Sequence, residues 1–346
     1  SSPPIVPPGQ ARGSILGNRV ARSEDPELLI GAGRYIADLD LGSDALAAVF
    51  VRSPIAHGTI TSIDTSDAAA MPGVVAIWTA DELGIEPHHG FAVIDPAFAR
   101  PPLAIDRVRF VGEAVAVVFA ETHALAADAA EAVWADIEPL SAVTDAEAAL
   151  AADAPLLFPE RGTNLASSDT PDDALDLDAI SDVVVRGRYV NQRVAVAPME
   201  PHGAAAAPAD DGRITVWVAN QFPHYVHGSI HRLVDVEADE LHLKTPRVGG
   251  GFGGKAGMQH EYGVIVMAAK RLGRPVRWIP TRTEDMQAKD HSRAQVQYAE
   301  LGCTSDGRFT GLRVDLVGDG GAYPGIGAAL PSGTRRMSHG TYDFPA

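Results

Sequence analysis

Short strand-like apolar runs, separated by one clear helical stretch, mark the first 144 residues of this chain. Leu46–Val51, Gly58–Ile63, Val74–Trp78 and Ala114–Phe119 have the length and composition of strands. Thr122–Trp134 is alanine-rich, with Thr122 placed to cap a helix, and Ile137–Val143 reads as a short closing strand. Residues 28–144 therefore form one mixed unit, preceded by an extended arm over 1–27 that is rich in Pro, Gly and charge. Residues 145–182 have many Ala, Asp and Pro residues and little periodicity, and read as a connecting segment. Leu156-Leu157-Phe158-Pro159 interrupts it, which marks part of it as a packed belt. A second domain, 183–346, carries strands at Val183–Val190, Gly203–Pro208 and Ile214–Ala219 and a helix at Pro223–Leu233. A strand over Leu241–Val248, a helix from about Met258 to Arg271, a strand at Pro275–Pro280 and several antiparallel-looking strands follow. The expected fold class is α+β.

Composition narrows the function. A length of 346 residues suits about two domains with real cores. A formal net charge of −17 argues against a nucleic-acid partner, because phosphate neutralisation needs clustered Lys and Arg. No stretch approaches the ~20 apolar residues of a membrane span, and Ser1-Ser2-Pro3-Pro4 lacks the basic-then-apolar pattern of a secretory signal. Cys303 is the only cysteine, which rules out a disulfide within the chain and suits a reducing cytoplasm. It reads as a buried strand residue, and any cysteine-ligated iron–sulfur cluster must belong to a partner.

The chemistry-bearing segment is Gly249-Gly250-Gly251-Phe252-Gly253-Gly254-Lys255. Glycine has no side chain to bury and costs entropy to order, so five around one aromatic are not core packing. Such a loop lets backbone N–H groups approach a ligand, here expected at the positive end of the following helix. A flexible linker is the plain alternative, but linkers favour Ser and lack a buried aromatic. The spacing fits a Walker A loop as far as Lys255, where Ala256 then replaces the Ser or Thr that would hold magnesium. Gly249, Gly251 and Gly254 also fit the dinucleotide fingerprint, with Glu284 or Asp285 as a ribose-binding acid. Against that, the strand before the loop carries His242, Lys244 and Arg247, whereas a central parallel strand is normally an apolar run. An NAD-dependent dehydrogenase stays open as an alternative.

The loop has companions. The first unit carries Gly31-Ala32-Gly33-Arg34-Tyr35, Arg52-Ser53-Pro54, Val111-Gly112-Glu113-Ala114 and Glu138-Pro139-Leu140. The second carries Gln192-Arg193, Pro198-Met199-Glu200-Pro201-His202, Trp217 to Gln221, the glycine loop and Gly273-Arg274-Pro275. Together these resemble the molybdenum-binding subunit of the xanthine dehydrogenase, aldehyde oxidase and aerobic carbon monoxide dehydrogenase family. The resemblance implies an α/β-hammerhead domain followed by part of a mixed α/β molybdopterin-binding domain.

It further implies a molybdenum–molybdopterin cofactor, in a bacterial member the cytosine dinucleotide form, held without protein ligands to the metal. Gln221 and Phe252 would be the catalytic contacts, and Gln221, Gly250, Gly251, Phe252, Gly253 and Gly254 would bind the cofactor. The Gln221 amide and the Phe252 and Gly253 N–H groups would meet the metal's oxo ligand, with the Phe252 ring beside the substrate channel. A small organic substrate, or carbon monoxide, would be oxidised with oxygen from water. Electrons would pass to a 2Fe–2S centre and FAD on an iron–sulfur subunit and a flavin subunit. Ala256 stands where purine-oxidising members carry glutamate, which puts purine hydroxylation in doubt. The family's general base has no counterpart before Ala346, so the site is expected to be completed by a C-terminal molybdopterin-domain chain or segment; a non-catalytic scaffold is the other alternative. Glu200, His202 and Arg193 are expected in structural ion pairs near the core, because buried charges need partners. His57 and His291 are expected to be structural, and Trp217 and Tyr262 to be core.

Overall fold

The computed structural model describes residues 21–90, 93–169, 175–234 and 236–345. Most of the expected arm lies outside the described residues, and its end, Asp25–Leu29, is a short helix, α1, not extended chain. Pro26 sits in its first turn, where a missing N–H costs nothing. The first unit continues as β1 (Leu46–Arg52), β2 (Gly58–Asp64), α2 (Ser66–Ala69), β3 (Val74–Trp78) and α3 (Ala80–Leu83). It ends with β4 (Arg107–Val108), β5 (Ala114–Ala120), α4 (His123–Ala132) and β6 (Trp134–Pro139). Thr122 caps α4 as its hydroxyl accepts from the Leu125 N–H at 3.3 Å.

The connecting segment ends with α5 (Leu177–Ile180), and after it come β7 (Val183–Ala195), β8 (Ala204–Pro208), β9 (Ile214–Val218) and α6 (Pro223–Leu233). Then follow β10 (Leu241–Lys244), α7 (His260–Leu272), β11 (Val276–Trp278), α8 (Arg282–Ala288), β12 (His291–Cys303), β13 (Phe309–Gly318) and α9 (Ile326–Met337). Helix α9 was not legible in the sequence, since its Gly and Pro331 break the helical pattern.

The two units share one sheet. Its order is β10-β9-β8-β11-β1-β5-β3, and the seam is a parallel pairing of β1 with β11, Leu46 opposite Val276. Strand β5 is buried at every position, as its unbroken apolar run demands. Alanine is a weak strand former, yet Ala204–Ala206 on β8 are fully buried, because their small side chains let α7 lie close against the sheet. Helix α7 is in turn buried from His260 to Ala269. Two smaller antiparallel sheets have the orders β13-β12-β7 and β4-β2-β6.

Polar groups reinforce the seam. Arg52 of β1 donates to Glu261 of α7 at 2.7 Å and to Glu284 of α8 at 2.6 Å, and Lys289 reaches Glu261 at 2.6 Å. Burial opposes a charge on Glu261, but Lys289 and Arg52 outweigh it and hold the carboxyl well below its ordinary range. Burial pushes the Lys289 ammonium down to about 8. The connecting segment does pack as a belt. Phe158 is buried, with its ring 5.1 Å from Phe98 and 5.6 Å from Tyr323, and Arg161 holds Asp95 at 3.1 Å.

Candidate active site

The glycine loop joins β10 to α7, but not as the sequence pattern suggested. Helix α7 begins at His260, five residues beyond Lys255, so the helix dipole does not act on the loop directly. Strand β10 is an edge strand paired in parallel with β9, which explains how its polar residues are tolerated. Glu284 and Asp285 are not free to bind a ribose: Glu284 pairs with Arg52, and Asp285 is buried against His202. Lys255 is fully buried and paired with Glu200 at 3.0 Å, so it does not reach outward for a phosphate either. Burial pushes its ammonium below the usual lysine range, against the pull of Glu200. Both phosphate-loop readings therefore lose the side chains they require.

What remains is a folded loop with a particular set of donors. Gln221 follows β9, and its side-chain oxygen accepts from the Gly253 N–H at 3.1 Å and the Lys255 N–H at 3.3 Å. Its backbone N–H donates to the Lys255 carbonyl at 2.9 Å. Gly251 must be glycine here, because a Cβ would stand 2.4 Å from the Gln221 side-chain oxygen. Gly254 donates to the Gly251 carbonyl at 2.8 Å. Among the described residues, the N–H groups of Gly250, Gly251 and Phe252 donate to nothing within the chain. Three successive backbone donors beside a side-chain amide form a neutral, oxygen-seeking surface.

Two expectations change at this point. The Gly253 N–H is engaged by Gln221, so among the described residues the loop N–H groups without a partner are those of Gly250, Gly251 and Phe252. Phe252 is 80% exposed at a φ of 51°, not buried, so its ring stands free at the surface of this chain. Beside the loop opens a cavity of about 1590 Å³, lined by Phe252, Gly253, Gly254 and Gln259 among others. Gln221, Gly250 and Gly251 are not part of that lining, so contact between Gln221 and the loop is close but the cavity lies to one side of it.

The remaining candidates fall into place individually. Glu200 is in an ion pair with Lys255, and the His202 ring is hydrogen-bonded to Asp285. Arg193 pairs with Asp319 at 2.5 Å on the surface and not near the core. His57 is buried and its Nδ1 meets the Ser141 carbonyl at 2.9 Å, but among the described residues its other ring nitrogen has no hydrogen-bond partner. His291 donates to the Met286 carbonyl at 2.6 Å. Tyr262 is fully buried against Trp278, while Trp217 is only half-buried, beneath Lys244. Cys303 is half-buried at the end of β12. Sequence reasoning missed Asn220, whose amide donates to the Gly257 carbonyl at 3.0 Å and whose oxygen accepts from the Phe222 N–H at 2.6 Å. The sequence signal was an Asn directly before Gln221, and its burial is seen only in the structure. No group of three or more His, Cys, Asp or Glu side chains among the described residues is arranged to hold a metal ion, and no helix among them is long and apolar enough to cross a membrane.

Comparisons with known proteins match this chain in two stretches, the second of which begins inside the segment read from sequence as the connection. Residues 30–141 match the aldehyde oxidase and xanthine dehydrogenase a/b hammerhead domain, and residues 157–346 match the molybdopterin cofactor-binding domain. The nicotine 6-hydroxylase large subunit of Paenarthrobacter nicotinovorans is 36% identical over 360 residues, covering 100% of this chain and 43% of that protein. The carbon monoxide dehydrogenase large chain of Hydrogenophaga pseudoflava is 32% identical over 345 residues, covering 94% and 43%. Quinoline 2-oxidoreductase from Pseudomonas putida 86 has a similar structure, with a TM-score of 0.82 at 36% identity, over 88% of this chain and 39% of that one. This chain thus spans about two fifths of the length of the relatives it matches.

Proposed function

This chain belongs to the family of molybdopterin-binding large subunits that includes aldehyde oxidases, xanthine dehydrogenases and carbon monoxide dehydrogenases, and we propose that it forms part of a molybdenum hydroxylase-type oxidoreductase. The observation that carries this reading is the donor set at the loop: the N–H groups of Gly250, Gly251 and Phe252 next to the Gln221 amide, which the loop itself engages only through its oxygen. Neutral donors fit a cofactor that presents oxygen atoms, because they orient an oxygen without titrating. The donor chemistry also fits a metal held by its own pterin, since these groups offer hydrogen bonds and no ligand lone pair of the kind a metal takes. When bound, the cofactor supplies the centre at which oxygen from water is transferred and electrons are taken up.

This chain's contribution is to bind and orient. Gln221, fixed through its oxygen, keeps its amide N–H₂ for the cofactor. Gly250, Gly251 and Phe252 supply backbone donors, and Gly253 and Gly254 shape the turn. The exposed Phe252 ring offers an apolar wall for a small substrate. Residues 28–144 serve as the hammerhead domain and 183–346 as the first molybdopterin-binding domain, joined by 145–182.

The open side of the loop calls for a second molybdopterin-domain chain or segment that encloses the cofactor and supplies the general base. Iron–sulfur and flavin subunits would take the electrons, the cofactor would be the cytosine dinucleotide form, and the setting would be cytoplasmic. The relatives are named as large subunits or chains, which supports the existence of partner subunits in general. The test is to co-purify the chain with its partner polypeptides and determine bound molybdenum, nucleotide and nicotinamide. Molybdenum at one per chain together with cytosine nucleotide is expected. Nicotinamide without molybdenum would refute the reading.

A further inference from the structure

We propose that Glu200 and His202 are positioning residues that hold the Gly249–Lys255 loop in its ligand-ready shape from behind. The inference rests on the functional reading above and assigns to these side chains a role beyond pairing charges. Their motif, Pro198 to His202, runs behind the loop into β8, and each residue grips a different part of it. Glu200 holds both ends. Its carboxylate accepts from the Gly249 N–H at 2.8 Å and from the Lys255 ammonium at 3.0 Å, and its own N–H donates to the Gly249 carbonyl at 3.1 Å. His202 reinforces the far end, with its Nε2 3.0 Å from the Gly254 carbonyl, next to Lys255.

These grips are themselves braced by α8. Asp285 meets the His202 ring at 2.7 Å and its backbone N–H at 2.9 Å. Arg282 donates to the carbonyls of Pro198 at 2.6 Å and Met199 at 3.1 Å. His202 and Asp285 are almost wholly buried, so their geometry is fixed by packing.

The loop needs such support. Gly250 and Gly253 sit at φ of 101° and 87°, and Phe252 at 51° is in a region that non-glycine residues adopt only when their surroundings enforce it. Among the described residues, Gly250, Gly251 and Phe252 have no hydrogen bond from their own N–H groups to hold them, so the pinned residues on either side set their course. Both grips are hydrogen-bonded pairs of a carboxylate with a basic side chain, Glu200 with Lys255 and Asp285 with His202.

The experiment compares His202→Asn with His202→Gln in the assembled complex. A Gln amide reaches the position of Nε2 and keeps a donor for the Gly254 carbonyl, whereas Asn is too short and keeps only a group near Asp285. Amide hydrogen exchange over residues 249–256, exchange over β5, and kcat and KM are measured for each. In His202→Asn, loop exchange should rise about tenfold and kcat fall about tenfold, with β5 exchange and KM little changed. His202→Gln should restore both to within about threefold of the parent, since one retained hydrogen bond is what separates the two.

Unchanged loop exchange in His202→Asn, an equal rise in β5, or a Gln variant no better than Asn would each overturn the proposal. If His202→Asn does not assemble, Glu200→Gln decides the question. It keeps an acceptor for Gly249 but loses the ion pair, so exchange should rise at Lys255 and not at Gly249, and a uniform response overturns the idea. The exchange measurements need no bound cofactor. A complex without molybdenum would therefore sink the proposed function, while the exchange rates would still decide whether Glu200 and His202 hold the loop.

Discussion

Replacing Gly251 by alanine should damage function through one side chain, Gln221, and should add no further damage once that side chain has been removed. The backbone at Gly251 is not in the left-handed region, so alanine brings no backbone strain. The new Cβ would instead stand 2.4 Å from the Gln221 Oε1, 2.5 Å from its Cδ and 2.7 Å from its Cγ. All three distances are too short to survive, and because Gln221 is exposed it can swing out into water. Its oxygen then loses the Gly253 and Lys255 N–H groups. At a net 0.5–1.5 kcal/mol each, two hydrogen bonds amount to about 1–3 kcal/mol, and water access at the loop places the expected stability loss near the lower figure.

The loss in turnover should be larger. A displaced donor at a reacting centre costs about 2.7–4 kcal/mol by analogy with oxyanion-hole deletions, or roughly 100–1000-fold in kcat. The assay is a double-mutant cycle on the assembled enzyme, with steady-state kinetics and thermal melting for Gly251→Ala, Gln221→Ala and the pair. The pair should be no slower than Gln221→Ala alone, because the atom that alanine strikes is gone. Additive losses in kcat would refute the steric argument, and normal turnover in Gly251→Ala would refute the placement of Gln221.

Three further outcomes follow from the same geometry. Gln221→Ala alone should lower kcat by roughly 100–1000-fold while leaving the melting temperature nearly unchanged, since its contacts lie at an exposed loop; a collapsed melting temperature would instead mark it as structural. Glu200→Ala strands the buried Lys255 and should cost about 3–5 kcal/mol in denaturant unfolding, whereas Glu200→Gln with Lys255→Met should cost clearly less; equal losses would show that the charge pairing is immaterial. The carboxyl of Glu261 is held well below the ordinary value of 4.5, so the unfolded chain takes up its proton first as pH falls. The stability it contributes is fully present above that value and is lost as pH drops toward the folded-state value. Acid unfolding curves should therefore flatten in Glu261→Gln, and an unchanged slope below pH 4.5 would count against the buried network.

Much of this protein was legible in the sequence because the signals are local. Apolar runs placed β1, β3 and β5, the side-chain hydroxyl of Thr122 placed the start of α4, and helix α6 falls on the residues its pattern marked. The motifs from Gly31 to Gly273 identified the family, and the close approach of Gln221 to the loop followed from them. Helix α9 escaped because glycine and proline erase helical periodicity even where packing on β12 and β13 stabilises the helix.

Only the tertiary structure could decide which partners the charged residues find. Lys255 looked like a phosphate-binding lysine and Asp285 like a ribose-binding acid, yet both are buried behind the loop against Glu200 and His202. Pairing across 55 and 83 positions is set by how β8, α7 and α8 pack, and no local pattern encodes it. The parallel seam of β1 with β11 is of the same kind, joining two stretches that the sequence presents as separate units. The direction of each N–H in the glycine loop is likewise a tertiary outcome. Glycine permits many backbone conformations, and the side chains pressed against the loop select one of them.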